Sequence, residues 1–196
     1  MAIREEDVRA RPGRPRDPAC DAAILQAALE VFAEEGYAGV SIDGVAARAG
    51  VGKATIYRRY SSKAELVVEA VRCGASVDDR LPDTGDLRAD LTSMMQPLID
   101  RLRGDDAKLL TMFAVERQRE PELQEQFNQS VIGKKREHLR HLVALAIERG
   151  ELPPDTDVEL IAEVPPALIW HHALYGLPMA DDFLERILNM LIPART

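Results

Sequence analysis

The stretch Ser41–Lys63 reads S-I-D-G-V-A-A-R-A-G-V-G-K-A-T-I-Y-R-R-Y-S-S-K, which spells two short helices joined by a glycine-containing turn. Ser41 suits an N-cap, because its hydroxyl can accept from an orphan amide of the first turn, and Asp43 follows near the positive end of the dipole. Ile42, Val45, Ala46 and Ala49 recur at helical spacing and form one narrow apolar stripe. Gly50 stands where a left-handed residue closes a helix, and Val51 plugs the angle to a second helix over Lys53 to about Tyr60. In that second helix Ile56 faces the core, while Lys53, Ala54, Thr55, Tyr57, Arg58 and Arg59 crowd the remaining surface. Cations, hydroxyls and a small alanine suit a DNA groove, where side chains reach base edges and flanking phosphates. An ordinary helical hairpin with a solvated basic face would show the same spacing, so the flanks decide.

Upstream, Arg9–Arg16 reads R-A-R-P-G-R-P-R without apolar periodicity. Such a segment is expected to be flexible. Arg14 and Arg16 could enter a minor groove beside the reader, and G-R-P-R matches the core of an AT-hook; a solubilising tail is the alternative. Asp17 and Pro18 then open a helix carrying Ile24, Leu25, Ala28, Leu29 and Phe32, which ends at Gly36. Downstream, Ser62 and Glu65 spell a capping box, so a further helix follows the reader at once. Lys63 lies in its first turn, where an ammonium and free amides together favour phosphate.

The run I-L-Q-A-A-L-E-V-F-A-E-E-G-Y-A-G-V-S-I-D-G-V-A-A-R-A-G-V-G-K-A-T-I-Y-R-R-Y-S-S-K-A-E-L, residues 24–66, resembles the N-terminal domain of TetR/AcrR-type transcriptional regulators. The resemblance implies an all-α, nine-helix protein: a three-helix reader, a linking helix, and a helical ligand-binding and dimerisation domain. On that pattern residues 1–16 are the flexible basic arm, 17–63 the reader and 64–196 the remainder, with about 62–75 as the link. It further implies that Lys53, Ala54 and Tyr57 meet bases or the groove wall, with Ser41, Thr55, Arg59 and Lys63 on phosphates. The family often has His where Arg59 stands and Phe where Tyr60 stands, which leaves the operator sequence open.

Charge agrees once the chain is divided. The net charge of -8 argues against nucleic acid as a whole-chain property, yet residues 1–63 carry 10 basic and 9 acidic side chains while 64–196 carry 15 and 24. A weakly charged reader on an acidic body should bind random DNA poorly and depend on paired half-sites. No secretory leader or membrane-length apolar run is evident, so a cytoplasmic protein is expected. Cys20 and Cys73 show neither pairing nor metal spacing and are read as free thiols, with Cys73 expected to be buried.

The rest is periodic in the helical sense. Predicted helices run from Asp86 to near Gly104, with Pro97 inside; from Asp105 to before Pro121; from Glu122 to Gly150; from Val158 to Gly176; and from about Asp181 to Ile192. Pro165 and Pro166 should kink or split the penultimate one. The family pocket lies among these helices. It implies a lining of Met94, Met95, Met112, Phe113, Phe127, Trp170 and His171, which suits an apolar or aromatic effector. The last two helices correspond to the family's two-fold bundle, so the resemblance assigns Leu168, His172, Tyr175, Phe183, Leu184, Ile187, Leu188 and Leu191 to a homodimer interface; packing of both helices inside the monomer is the alternative. His138 and His141 are three residues apart but sit among Lys135, Arg136, Glu137 and Arg140, so a solvated face is favoured over a metal site. No catalytic motif, metal-ligand set or cofactor motif stands out, so neither an enzyme nor a cofactor is expected. The expected function is a repressor released from a palindromic double-stranded operator when a small effector moves the linking helix and respaces the readers.

Overall fold

The computed structural model describes residues 18–74 and 81–192; Arg14, Arg16 and the predicted cap Asp17 lie outside them. Among the described residues every element is helical. They are α1 (Pro18–Gly39), α2 (Ile42–Ala49), α3 (Lys53–Tyr57), α4 (Lys63–Gly74), α5 (Leu87–Arg103), α6 (Ala107–Arg119), α7 (Pro121–Phe127), α8 (Gly133–Glu148), α9 (Val158–Tyr175) and α10 (Phe183–Leu191). α7 and α8 are one long helix interrupted by a π turn, Asn128–Ile132, so the nine predicted helices are present.

Local chemistry sets the boundaries of the reader. α1 bends at Gly36, whose φ of 70° and ψ of -177° belong to a region that essentially only glycine occupies. Ser41 Oγ accepts from the Gly44 amide at 3.0 Å, capping α2. At its other end Gly50 is left-handed (φ 66°), and the Gly50 and Val51 amides turn back to Ala47 and Ala46, the two bonds of a Schellman motif. α4 starts with Ser62 Oγ accepting from the Glu65 amide at 3.1 Å, while Glu65 reaches back to the Ser61 amide at 2.6 Å. The capping box is therefore displaced by one residue on its return arm.

α4 is buried along most of its circumference, through Ala64, Leu66, Val67, Val68, Ala70 and Val71. A helix apolar nearly all round must be covered on several sides. α1 covers one, and α6 and α7 cover others. α4 thus lies between α1 and the helices of the body. Asp90, fully buried on α5, accepts from the Thr84 amide (2.9 Å) and hydroxyl (2.8 Å) and ties the preceding loop down. No described helix is long and apolar enough to cross a membrane.

Two local expectations are corrected and one is narrowed. The recognition helix is shorter than predicted, ending at Tyr57 rather than near Tyr60, where the last turn tightens and the Arg59 amide donates three residues back to Ile56 O. Of the kink or split expected at Pro165–Pro166, the split does not occur, since α9 runs unbroken over Val158–Tyr175. The two prolines leave the Ile161 and Ala162 carbonyls without intrahelical donors, and packing against α5, α6, α8 and α10 holds the helix together instead. Cys73 is exposed, not buried. The π turn was not legible beforehand. The Gly133 amide donates five residues back to Asn128 O, and a Cβ at 133 would stand 3.1 Å from that oxygen. Glycine lets the wide turn close.

Tyr37 and Tyr60 are both buried. Burial first, then nearby carboxylates (Glu122 and Glu120 for Tyr37, Asp21 and Glu69 for Tyr60), pushes each phenol up to about 12 from 10.0. Between those values the unfolded chain gives up protons that the folded chain keeps. Stability from these groups is whole below about pH 10 and is lost as pH rises through about 12, at most ~2–3 kcal/mol per tyrosine. Melting temperature should therefore fall steeply over that window, with part of the tyrosinate absorbance arriving only on unfolding. A flat melting temperature across it would contradict this assignment.

Candidate nucleic-acid interface and effector cavity

The reader is held by Val45, Ala46 and Ile56, all buried, which fix α2 against α3. With Ile56 pointing inward, Lys53, Ala54, Tyr57 and Arg58 are left exposed, and Tyr57, a large aromatic, shows 60% of its surface to solvent. Lys53 Nζ stands 2.5 Å from Asp43 Oδ2, an exposed pair that places the ammonium at the start of α3. Thr55 is half-buried, and the Ser41 hydroxyl keeps its proton while its oxygen caps α2. Arg48 pairs with Glu34 at 2.8 Å and reaches Glu30 at 4.0 Å, joining α2 to α1 and offsetting two acids that would otherwise oppose DNA. Its guanidinium holds the Glu34 carboxyl below the usual carboxylate range.

Two expected phosphate ligands are engaged inside the chain. Arg59 Nε is hydrogen-bonded to the Asp21 carboxylate and Nη1 donates to Thr55 O at 3.1 Å, with only 15% of the side chain exposed. It joins the end of α3 to α1. Lys63 Nζ donates to Tyr37 O at 2.9 Å and lies 4.0 Å over the Tyr37 ring, closing the C-terminal end of α1. Both cations thus hold partners within the chain, which a DNA phosphate would have to share or displace. Their partners are 38 and 26 residues away, and no local pattern announces them.

Behind the reader lies a cavity of about 440 Å³ walled by α4, α5, α6, the π turn, α8 and α9. Met94, Met95, Phe113, Phe127 and Trp170 line it as expected, whereas Met112 and His171 do not. Met112 packs elsewhere against the core, and His171 is exposed beside Tyr175, with ring centroids 4.8 Å apart. The main omission from the sequence reading was charge. Arg72, Arg101, Arg117, Lys135 and Arg136 all line the cavity, against Glu163 as its acid. Arg136 pairs with that Glu163. A signal did exist: Arg101 is three residues beyond Leu98, Arg117 four beyond Phe113 and Lys135 four beyond Val131, so each cation continues an apolar stripe.

Arg117 is the most informative of the five. It is half-buried, donates to the Gln124 side-chain oxygen at 2.8 Å, and lies 5.0 Å over the Phe127 ring. Burial pulls its guanidinium below the usual arginine value. From there an edge-to-face series runs out of the cavity: Phe127 to Phe113 with centroids 5.1 Å apart, then Phe113 to Phe32 of α1 at 6.0 Å. Beside it the Tyr37 amide donates to Glu116 of α6 at 3.4 Å. The cavity lining therefore touches the reader through Phe113 and Phe32.

Residues 24–70 match the sequence family described as bacterial regulatory proteins, tetR family, and residues 81–191 match the tetracyclin repressor-like C-terminal domain. The chain belongs to the TetR family. Among its TetR-family relatives is a DNA-binding transcriptional repressor from Mycobacteroides abscessus, 33% identical over 86% of this chain and 89% of that one. The crystal structure of a TetR family transcription regulator superposes with a TM-score of 0.61 at 27% identity, covering 88% of this chain and 96% of the other. The transcriptional regulator FadR from Bacillus subtilis, crystallised with stearoyl-CoA, superposes with a TM-score of 0.66 at 22% identity over 89% and 99% of the chains, a likeness of fold. TetR-family proteins are transcription regulators rather than enzymes, and this chain is a DNA-binding member of that class.

In this TetR-family chain the last two helices differ from expectation in which face they leave open. Phe183, Leu184, Ile187 and Leu188 are 7%, 4%, 5% and 1% exposed within the single chain, so they have little area to give a partner. His172 is half-buried, its ring 4.3 Å from Phe183 and Nδ1 3.0 Å from Pro178 O. Within the single chain these five belong to the core and its margin. What stays open on α9 is a stripe at helical spacing, Leu160, Ala167, His171, Leu174 and Tyr175, with Leu168 half-buried on its edge. Met190 of α10 is 67% exposed, and Leu191 is half-buried. His138 Nε2 donates to Pro82 O at 2.6 Å, which anchors the loop, and no group of metal-binding side chains occurs among the described residues.

Proposed function

We propose that this TetR-family regulator is a homodimeric repressor released from a palindromic operator by an amphiphilic effector with an apolar body and an acidic end. The observation that carries the proposal is the cavity: apolar aromatic and thioether walls with five cations among its lining side chains and one acid. Five cations against one acid make the lining positive on balance, which favours an acidic group there over a neutral one. FadR of Bacillus subtilis holds stearoyl-CoA, an apolar chain on an anionic carrier; for this chain the ligand class is our reading of the charges. It replaces the purely apolar or aromatic effector suggested by the methionines and aromatic residues.

Dimerisation through the open α9 stripe and Met190 is supported by its continuity and apolar character. Two copies related by a two-fold axis suit two half-sites one or more helical turns apart. Occupation of the cavity moves Phe127, Phe113 and α6 against α1 and α4. The separation of the two readers then leaves register with successive major grooves, a population shift whose size is the difference in effector affinity between the two arrangements.

The test is footprinting of the purified protein on the DNA flanking its own gene, followed by titration with medium-chain fatty acids and their coenzyme A thioesters. A two-fold footprint that vanishes on addition of an acidic amphiphile is the expected result. Binding that persists with every acidic amphiphile, or that yields only to a neutral ligand, would overturn the effector class.

A further inference from the structure

The cations of the cavity are not equally available. Arg72 is held by Glu69 with hydrogen bonds of 2.8 and 2.7 Å, Arg136 pairs with Glu163, and Arg101 and Lys135 are engaged within the chain as well. Arg117 differs from the two ion-paired arginines, because its contacts are to uncharged groups: the Gln124 side-chain oxygen at 2.8 Å and the Phe127 ring, 5.0 Å from its guanidinium carbon. Burial alone pulls its pKa below the usual arginine value. Gln124 takes one N–H and the ring covers a face rather than an edge, so in-plane donors remain and the charge has no counter-ion.

An arginine can only donate, and that fixes two amides beyond it. Gln124 must turn its oxygen to Arg117, so its amino end donates to Asn128 Oδ1 at 2.8 Å, and the amino end of Asn128 is left over. Arg117 and Asn128 both line the cavity, while Gln124 of α7 stands outside the lining and joins them. The aromatic wall at Phe127 thus ends in a pole made of donors.

We infer that Arg117 and Asn128 anchor a single free carboxylate, so that the effector is an unesterified monocarboxylic acid whose apolar body lies against Phe127 and along the cavity. The flat guanidinium fork presents parallel N–H groups to two carboxylate oxygens, and the Asn128 amino group donates to one of them. A primary amide of the same shape would set its own N–H groups against these donors and leave some of them unpaired. A thioester carries no carboxylate at that end of its chain. An acid also supplies what Arg117 lacks, since a half-buried charge with only neutral partners is costly until an anion joins it. This inference rests on the acidic-amphiphile proposal above and narrows it.

Trp170 is the only tryptophan of the chain and lines the same cavity, so its fluorescence reports occupation directly. The probes are saturated carboxylates from hexanoate to hexadecanoate, with the primary amide and the coenzyme A thioester of each. The best carboxylate is expected to bind about 10–100-fold more tightly than its amide and its thioester. Arg117→Gln should remove most of that preference. Asn128→Asp is the second variant, because the position is exposed and an aspartate oxygen still accepts from Gln124, while the outward donor becomes an anion. It should weaken the carboxylate about tenfold or more, leave the amide within a few-fold, and leave the melting curve in place. A carboxylate bound equally by the unaltered and Asn128→Asp proteins, or thioesters that bind more tightly than the acids, overturns the carboxylate anchor while the acidic-amphiphile proposal stands. Amides that bind as tightly as the acids, or a Trp170 signal that no probe perturbs, overturn both.

Discussion

Replacing Tyr57 and Arg58 together by alanine is expected to lower operator affinity by about 10²–10⁴-fold without unfolding the protein. Each side chain is exposed on the one face of α3 that Ile56 leaves free. A well-made base contact is worth about 1–3 kcal/mol of binding, and two of them account for the range. Exposed side chains away from caps and core change stability by about 0.5 kcal/mol or less, so the melting temperature should stay put. Arg58→Ala alone should also lower the slope of log affinity against log salt by about one if Arg58 meets a phosphate, and leave it unaltered if it meets a base edge. Arg59→Ala is the instructive contrast. Because Arg59 is bonded to Asp21, its loss should lower thermal stability, and Asp21→Asn should reproduce much of that effect. Gel-shift titration at several salt concentrations, with melting curves on the same preparations, separates the cases. Full operator affinity in the double variant would mean that α3 is not the reader.

That contrast also marks what a sequence makes legible. Ser41, Gly50 and the pair Ser62 and Glu65 act on residues within one helical turn of themselves, so their roles could be read from spacing, and the structure places the α2 and α4 boundaries beside them. Arg59, Lys63 and Glu116 act on partners 38, 26 and 79 residues away. A cation on the reader is written identically whether it faces phosphate or Asp21. The last helix shows the same limit from the apolar side: periodicity told that one face of α10 is buried, but a partner subunit and the chain's own α5 and α9 demand the same residues. The cavity was half legible. Its methionine and aromatic lining followed from helix pattern, whereas its charge needed attention to cations standing on apolar stripes. The π turn depends on the closeness of Gly133 to Asn128 O and has no such pattern.

The largest effect on regulation, as distinct from DNA binding, is expected from Phe113→Leu. Phe113 is 3% exposed, lines the cavity, and touches Phe127 on one side and Phe32 on the other. Leucine keeps an apolar group there but cannot span both ring contacts, while alanine would cost about 3–5 kcal/mol as a core truncation and confuse coupling with unfolding. If the ring series transmits occupation of the cavity to α1, unliganded Phe113→Leu protein should bind operator normally and bind the effector within a few-fold of normal. The effector should nevertheless no longer release DNA. A coupling of about 5–150-fold, typical of such regulators, should fall toward one, and by reciprocity operator DNA should likewise cease to weaken effector binding. Phe32→Leu, at a fully buried position outside the cavity, should do the same, and the double variant should be no worse than either single one, because both break one series. A local packing defect makes a different forecast: effector affinity and melting temperature fall together while the release factor survives. A Phe113→Leu protein that keeps its full release factor would move the coupling elsewhere, and the hydrogen bond from the Tyr37 amide to Glu116, tested by Glu116→Ala, is the remaining bridge from α6 to the bend of α1.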